Sequence, residues 1–350
     1  SGRQALALRE QPVQRLQAVA SEAGLVLYAQ TTGGLLRSLD GGATFARADA
    51  GLPRAALGHI RLRAWTVAPG EPWRLYAAAV TDGALQDAAA QLFRSDDGGD
   101  TWRPLEGALA DRLRSQTEGG DAPATPGVDG DSLRLAQASL RGLAVAPSAP
   151  DMLYLAGPQR LWRSSDAGRA WSAAAPWPGP LQGAAPLLLV VDGREPQQLL
   201  ASAGAGVWQS RDAGQTWQLA GDLPPLAEIS SLVAAPDRSG LAYAGSRTLV
   251  YRTVDGGMTW RGAALPGAAG LVGALFVDPL VGETVYAADS AGQLFRSDDA
   301  GSSWRLIDGA GRRAGPLLAL AIDPSQRDQL FLASNDGIWR RPVAPLLPTV

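Results

Sequence analysis

The sequence predicts an all-β chain, a seven-bladed β-propeller of four-stranded antiparallel blades with the ring closed by an N-terminal strand pairing in the last blade. Three observations carry this. A short phrase recurs six times: Ser or Thr, Asp two residues on, Gly at four, usually Ser or Thr at six, and an aromatic at seven. The last four copies are spaced by about 45 residues, the length of one supersecondary unit. Three short apolar runs separated by turn residues precede each copy, so each repeat supplies four strands, and radial repetition of such sheets gives a propeller.

The phrase reads Ser38-x-Asp40-x-Gly42-x-Thr44-Phe45, Ser95-x-Asp97-x-Gly99-x-Thr101-Trp102, Ser164-x-Asp166-x-Gly168-x-Ala170-Trp171, Ser210-x-Asp212-x-Gly214-x-Thr216-Trp217, Thr253-x-Asp255-x-Gly257-x-Thr259-Trp260 and Ser297-x-Asp299-x-Gly301-x-Ser303-Trp304. An Asp in a tight turn accepts hydrogen bonds from the N–H groups that follow it, and Gly takes the positive-φ position without steric cost. The aromatic then opens the next strand and buries its ring in the neighbouring layer. Upstream strands are equally regular: in the sixth copy they read Leu275-Phe276-Val277-Asp278-Pro279, Val285-Tyr286-Ala287-Ala288 and Leu294-Phe295-Arg296-Ser297.

These six copies resemble the Asp-box (BNR) repeat of sialidases, sortilin-type receptors, xyloglucan-degrading glycosidases and photosystem II assembly factors. In those families the box is structural, which implies a framework role for Asp40, Asp97, Asp166, Asp212, Asp255 and Asp299. The blades are expected at 12–46, 59–104, 138–173, 184–219, 228–262, 271–306 and 316–341. The last lacks an outer strand, which 4–9 supplies by alternating polar and apolar residues. Two insertions, 80–90 and 106–137, are expected to emerge on the face opposite the boxes, the face propellers use for binding.

Composition narrows the function. With 46% apolar and 19% charged residues, 42 Gly and 25 Pro, the chain has the make-up of a turn-rich globular protein. All 31 basic residues are arginines, and a formal charge of −3 without a basic run argues against nucleic acid. No apolar run is long enough for a spanning helix. The absence of cysteine excludes disulfides and thiolate chemistry. One histidine, His59, excludes a His-rich zinc site, and no cofactor is expected. Relatives of the repeat are mostly exported, which implies an extracellular, periplasmic or lumenal location.

A sialidase needs a tyrosine nucleophile and an arginine triad. Tyr28, Tyr76, Tyr154, Tyr243 and Tyr286 all occupy the repeated second-strand position, and Tyr251 takes the aromatic position of a third strand, so none of the six tyrosines is left over. The Arg-Ile-Pro sequence of sialidases is also missing. Other glycosidases need two carboxylates flanking a groove. Loop candidates are Asp82, Asp87, Glu118, Asp121, Asp129, Asp131, Glu228 and Asp289, each of which reads first as a solvated loop charge.

Aligning the innermost strands on the endings Val19-Ala20-Ser21, Val67-Ala68-Pro69 and Val145-Ala146-Pro147 places Arg15, Arg63 and Arg141 four residues before the valine. The other blades carry Leu187, Ser230, Gly273 and Leu318 there. Either each arginine pairs with a nearby carboxylate, or three guanidinium groups at one height form a patch for a carboxylate or phosphate. Arg61 and Trp65, two residues to either side of Arg63, and His59, in the loop entering that strand, complete the candidate binding set. Arg54, Arg112, Arg114 and Arg134 flank the neighbouring loops, and Trp73 and Trp177 join Trp65 as tryptophans outside the repeat. This composition suits an interface. The expected function is a non-catalytic binding or assembly module for a protein or anionic partner; the alternative is a carbohydrate-active protein.

Overall fold

The computed structural model describes residues 4–5, 8, 12–54, 60–80, 90–105, 142–157, 160–178, 188–202, 206–221, 223, 228–247, 249–308, 317–324 and 329–342. Both expected insertions lie largely outside them, as do His59, Arg112, Arg114, Arg134, Arg141 and the carboxylates from Asp82 to Asp131. The described strands form seven four-stranded antiparallel sheets. Their innermost strands are Val13–Ser21, Leu62–Ala68, Gly142–Ala146, Leu188–Val191, Ser231–Ala234, Val272–Val277 and Leu317–Ile322. The first of these packs on the last, so the sheets close into a ring, a β-propeller. In the seventh sheet Gln4–Ala5 pairs antiparallel with Gly337–Pro342, Gln4 opposite Arg340 and Ala5 opposite Trp339.

Each sheet is apolar on both faces because each is sandwiched between two others. The core is therefore divided into seven apolar clusters, one at every interface between adjacent blades. Strand direction sorts the connections. The turns between first and second strands share one face with the six Asp turns, whereas the chain enters each innermost strand on the opposite face, here called the loop face.

The Asp turns are built alike. Ser38 Oγ donates to Asp40 Oδ1 at 2.8 Å and accepts from Gly42 N–H, while Thr44 donates its N–H to Oδ1 and its hydroxyl to Oδ2. The same bonds recur around Asp97, Asp212, Asp255 and Asp299. At Asp166 the sixth position is Ala170, which gives only its N–H. These bonds stabilise the charged carboxylate. Asp40 is held at about 2, first by the Thr44 hydroxyl, then by Thr44 N–H and the Ser38 hydroxyl. At Asp97 burial pulls upward, but the bonds from Thr101 and Ser95 outweigh it and leave the group at about 2. The other four are lowered by the same contest between burial and hydrogen bonds. Their folded values lie below the ordinary 3.8, so their contribution to stability is complete above that pH and is lost as pH falls through the folded values. The melting temperature should drop between about pH 4 and pH 2. A flat profile across that window would remove this role.

Tyrosines tie one blade to the next. Tyr28 donates to Pro72 O at 2.9 Å, Tyr154 to Pro196 O at 2.7 Å and Tyr243 to Gly282 O at 2.8 Å. The acceptors lie three residues before Leu75, Leu199 and Val285, equivalent positions in the next blade's second strand, so the contact is one repeated joint. Tyr76 is equally buried, but its hydroxyl finds no acceptor. Tyr28→Phe and Tyr243→Phe should each cost about 1 kcal/mol of unfolding free energy, and Tyr76→Phe should cost nothing or stabilise slightly. Denaturant titrations of the three variants check this; equal losses would contradict it.

Candidate functional site

The inner strands surround a channel of about 740 Å³. Its end near the Asp turns is ringed by Pro69, Pro147, Pro236, Pro279 and Pro324, and its wall is lined by Val19, Val67, Leu232, Leu275 and Leu320. Arg15, near the loop face, is the single charged side chain among its described lining residues.

Strand register corrects the alignment of the arginines. The residue opposite the position after the second-strand tyrosine, or after Leu200 and Phe331 in blades four and seven, is structurally equivalent in every blade: Leu16 opposite Ala29, Trp65 opposite Ala77, Leu143 opposite Leu155, Leu189 opposite Ala201, Leu232 opposite Ala244, Leu275 opposite Ala287 and Leu320 opposite Leu332. Counting back from there, Arg15 is equivalent to Ala64, and Gln14, not Arg15, is equivalent to Arg63. Gln14 and Arg63 both fall at a shift in pairing register. The offset arises because Val19 lies three residues after Leu16 whereas Val67 lies two after Trp65; blade one closes its first hairpin at Ser21–Gly24, blade two at Ala68–Glu71. A one-residue shift turns a side chain to the other face of a sheet. Arg15 accordingly reaches towards blade two, while Arg61 and Arg63 are exposed.

At the register of Arg15 the other blades carry Ala64, Gly142, Leu188, Ser231, Ala274 and Ala319, and its strand partner Gln30 stands where they have Ala, Ser or Gly. Trp65 replaces a leucine found in all six others. These three departures from the repeat touch one another. The Arg15 guanidinium lies 5.4 Å from the Trp65 ring centroid, and Trp65 Nε1 donates to Gln30 Oε1 at 2.7 Å. Gln30 Nε2 in turn donates to Gln14 Oε1 at 3.2 Å.

Trp65 is fully buried, so it is not the surface contact expected from the sequence; it is the floor beneath Arg15. Trp73 and Trp177 are likewise absorbed by the framework. Trp73 lies under the Arg37 guanidinium at 5.5 Å, and Trp177 is buried, donates to Gly157 O and sits 5.0 Å from Trp217. Arg54 pairs with the buried Asp49 at 3.0 Å.

Arg15 makes no hydrogen bond or ion pair with a described residue, and neither do Arg61 and Arg63. Burial lowers the Arg15 guanidinium to about 10, which leaves it charged at neutral pH. Several other arginines are matched, as in Arg37 with Asp100 at 2.9 Å, Arg74 with Asp151 at 2.8 Å and Arg94 with Asp96 at 2.6 Å, although Arg160 also keeps a buried Nε without a partner. The entrance between blades one and two thus carries cations without described counter-charges.

The two described loop carboxylates each have partners of their own. Asp289 is fully buried and accepts from the N–H groups of Ala269, Ala291 and Gln293. Glu228 is exposed and pairs with Arg247 at 3.4 Å. No group of three or more His, Cys, Asp or Glu among the described residues is arranged to hold a metal, and no described helix is long and apolar enough to cross a membrane.

No family model matches the sequence, and no curated protein matches it. Solved structures share the fold. The GH74 xyloglucanase from Xanthomonas campestris superposes with a TM-score of 0.72 at 21% identity, covering 99% of this chain and 54% of that one. This chain therefore spans about half the length of the xyloglucanase. YCF48 bound to D1 peptide matches at 0.64 and 16% identity over 99% of this chain and 98% of that one, and YCF48 from Cyanidioschyzon merolae at 0.62 and 16% over 98% and 99%. The chain has a seven-bladed β-propeller fold, which it shares with these structures.

Proposed function

We propose that the chain is a non-catalytic docking module that engages a protein or other anionic partner through the loop face of blades one and two. One observation carries this reading: Arg15, Gln30 and Trp65, three departures from an otherwise regular repeat, are in contact and leave an arginine unpaired at the channel mouth. Retaining a half-buried cation without a carboxylate partner is costly, so its presence is best accounted for by an anion that comes from outside. Arg61 and Arg63 widen the positive entrance, and Arg141 belongs to the same proposed surface by its place in the sequence. YCF48, matched over nearly its whole length, is described bound to a peptide, which supports a docking role for a propeller of this size.

The test is recovery of partners from a native extract on the tagged chain. The double variant Arg15→Ala/Arg63→Ala should lose them roughly tenfold or more. Arg169→Ala, exposed on the Asp-turn face, should leave recovery unchanged. Undiminished recovery by the double variant rejects the surface.

The likeness to a xyloglucanase over 99% of this chain favours a second reading, binding or cleavage of a glycan with loop carboxylates. Hydrolysis of a glycan panel, abolished by replacing one loop carboxylate, would establish it in place of the first.

A further inference from the structure

The geometry points to the channel mouth at Arg15 as a binding site for a small carboxylic acid with an apolar stem, its carboxylate on the guanidinium and its stem along the channel wall. This deepens the docking reading, because it rests on the same unpaired Arg15.

Three features select the ligand. Arg15 is the one charged residue among those described around the channel, Arg61 and Arg63 lying outside its lining, so within the channel a monoanion is matched and a phosphate dianion is left with excess charge. The Arg15 guanidinium carbon lies over the Trp65 ring, 5.4 Å from its centroid, and Trp65 is held in place through Nε1 by Gln30. The guanidinium N–H groups donate to no described residue, and the planar fork fits a coplanar carboxylate bidentately. Beyond the guanidinium the wall is apolar: Val19, Val67, Leu232, Leu275 and Leu320 supply a surface on which an alkyl stem gains by leaving water. A channel of about 740 Å³ has the size of an ordinary small-ligand pocket.

The other blades show that the site is not a requirement of the fold. Ala64, Ala274 and Ala319 fill the position of Arg15 in three blades, so Arg15→Ala restores a residue the architecture already accepts. Arg15→Gln keeps part of the stem over Trp65 and removes only the charge.

Titration calorimetry with octanoate is the test, with octanamide, inorganic phosphate and an apolar hexapeptide with a free C-terminus as comparisons. Octanoate should bind the intact chain, and both Arg15 variants should lose it roughly tenfold or more. Octanamide and phosphate should bind at least about as poorly as octanoate binds those variants. Octanoate binding that persists undiminished in both variants overturns the site, as does tighter binding of phosphate or octanamide. Binding of the hexapeptide without octanoate also overturns it, and assigns the channel to a docked polypeptide instead. Partner recovery lost in Arg15→Ala/Arg63→Ala while octanoate fails to bind leaves the docking surface standing and removes only the small-ligand site.

Discussion

Gly99→Ala is expected to be among the most damaging single substitutions in the chain. Gly99 closes the second Asp turn at φ +93°, and a methyl group there would stand 2.4 Å from Ala48 O and 2.8 Å from Ala48 Cβ in the neighbouring blade. Backbone strain and overpacking act together, for a loss of about 3 kcal/mol or more. Gly41→Ala is the informative companion. Gly41 also has positive φ, +67°, but a methyl group there would meet nothing within 4 Å, and Ala167, Ala213 and Ala300 occupy the equivalent place at φ 59°, 59° and 55°. Its cost should be near 1 kcal/mol. Denaturant unfolding distinguishes the two; similar losses would show that the turn, not the packing between blades, sets the penalty.

Removing residues 1–8 should produce the other large effect. It deletes the Gln4–Ala5 strand and the buried Leu8, which packs in the cluster joining blades seven and one. Burial of that leucine alone is worth roughly 2 kcal/mol. The strand Gly337–Pro342 would be left with an open edge, a template for pairing with other chains. The expected result in calorimetry is a melting temperature lower by about 5 °C or more, with light scattering rising near the transition. An unchanged melt would mean that ring closure does not depend on this strand.

The fold was legible because its determinants are local and repeated. Asp at two, Gly at four and an aromatic at seven state the turn chemistry directly, and a seventh unit, Leu317 to Arg340, with three strands and no box calls for a closing strand from the other end of the chain. The site was legible only in part. Arg15, Arg61 and Arg63 stand out as departures from the repeat, but aligning inner strands on Val-Ala-Pro endings hid a longer first hairpin in blade one and put Arg15 one residue out of register. Aligning on the second-strand tyrosines gives the structural register. Composition alone does not separate a surface tryptophan from one that replaces a core leucine, and only the register reveals Trp65 as the latter. Gln30 was missed altogether. Its signal was present in the sequence as the one long polar side chain, among the described blades, at a second-strand position that otherwise carries Ala, Ser or Gly.

If Arg15 serves binding and not architecture, thermal melting of Arg15→Ala beside the intact chain is the decisive comparison. A residue that replaces the alanine found at this position in three other blades should be dispensable to the fold: the melting temperature is predicted to stay level or rise, while partner recovery and octanoate binding are lost. A clear fall in melting temperature, with binding retained, would overturn that assignment and make Arg15 and Trp65 a structural joint between blades one and two.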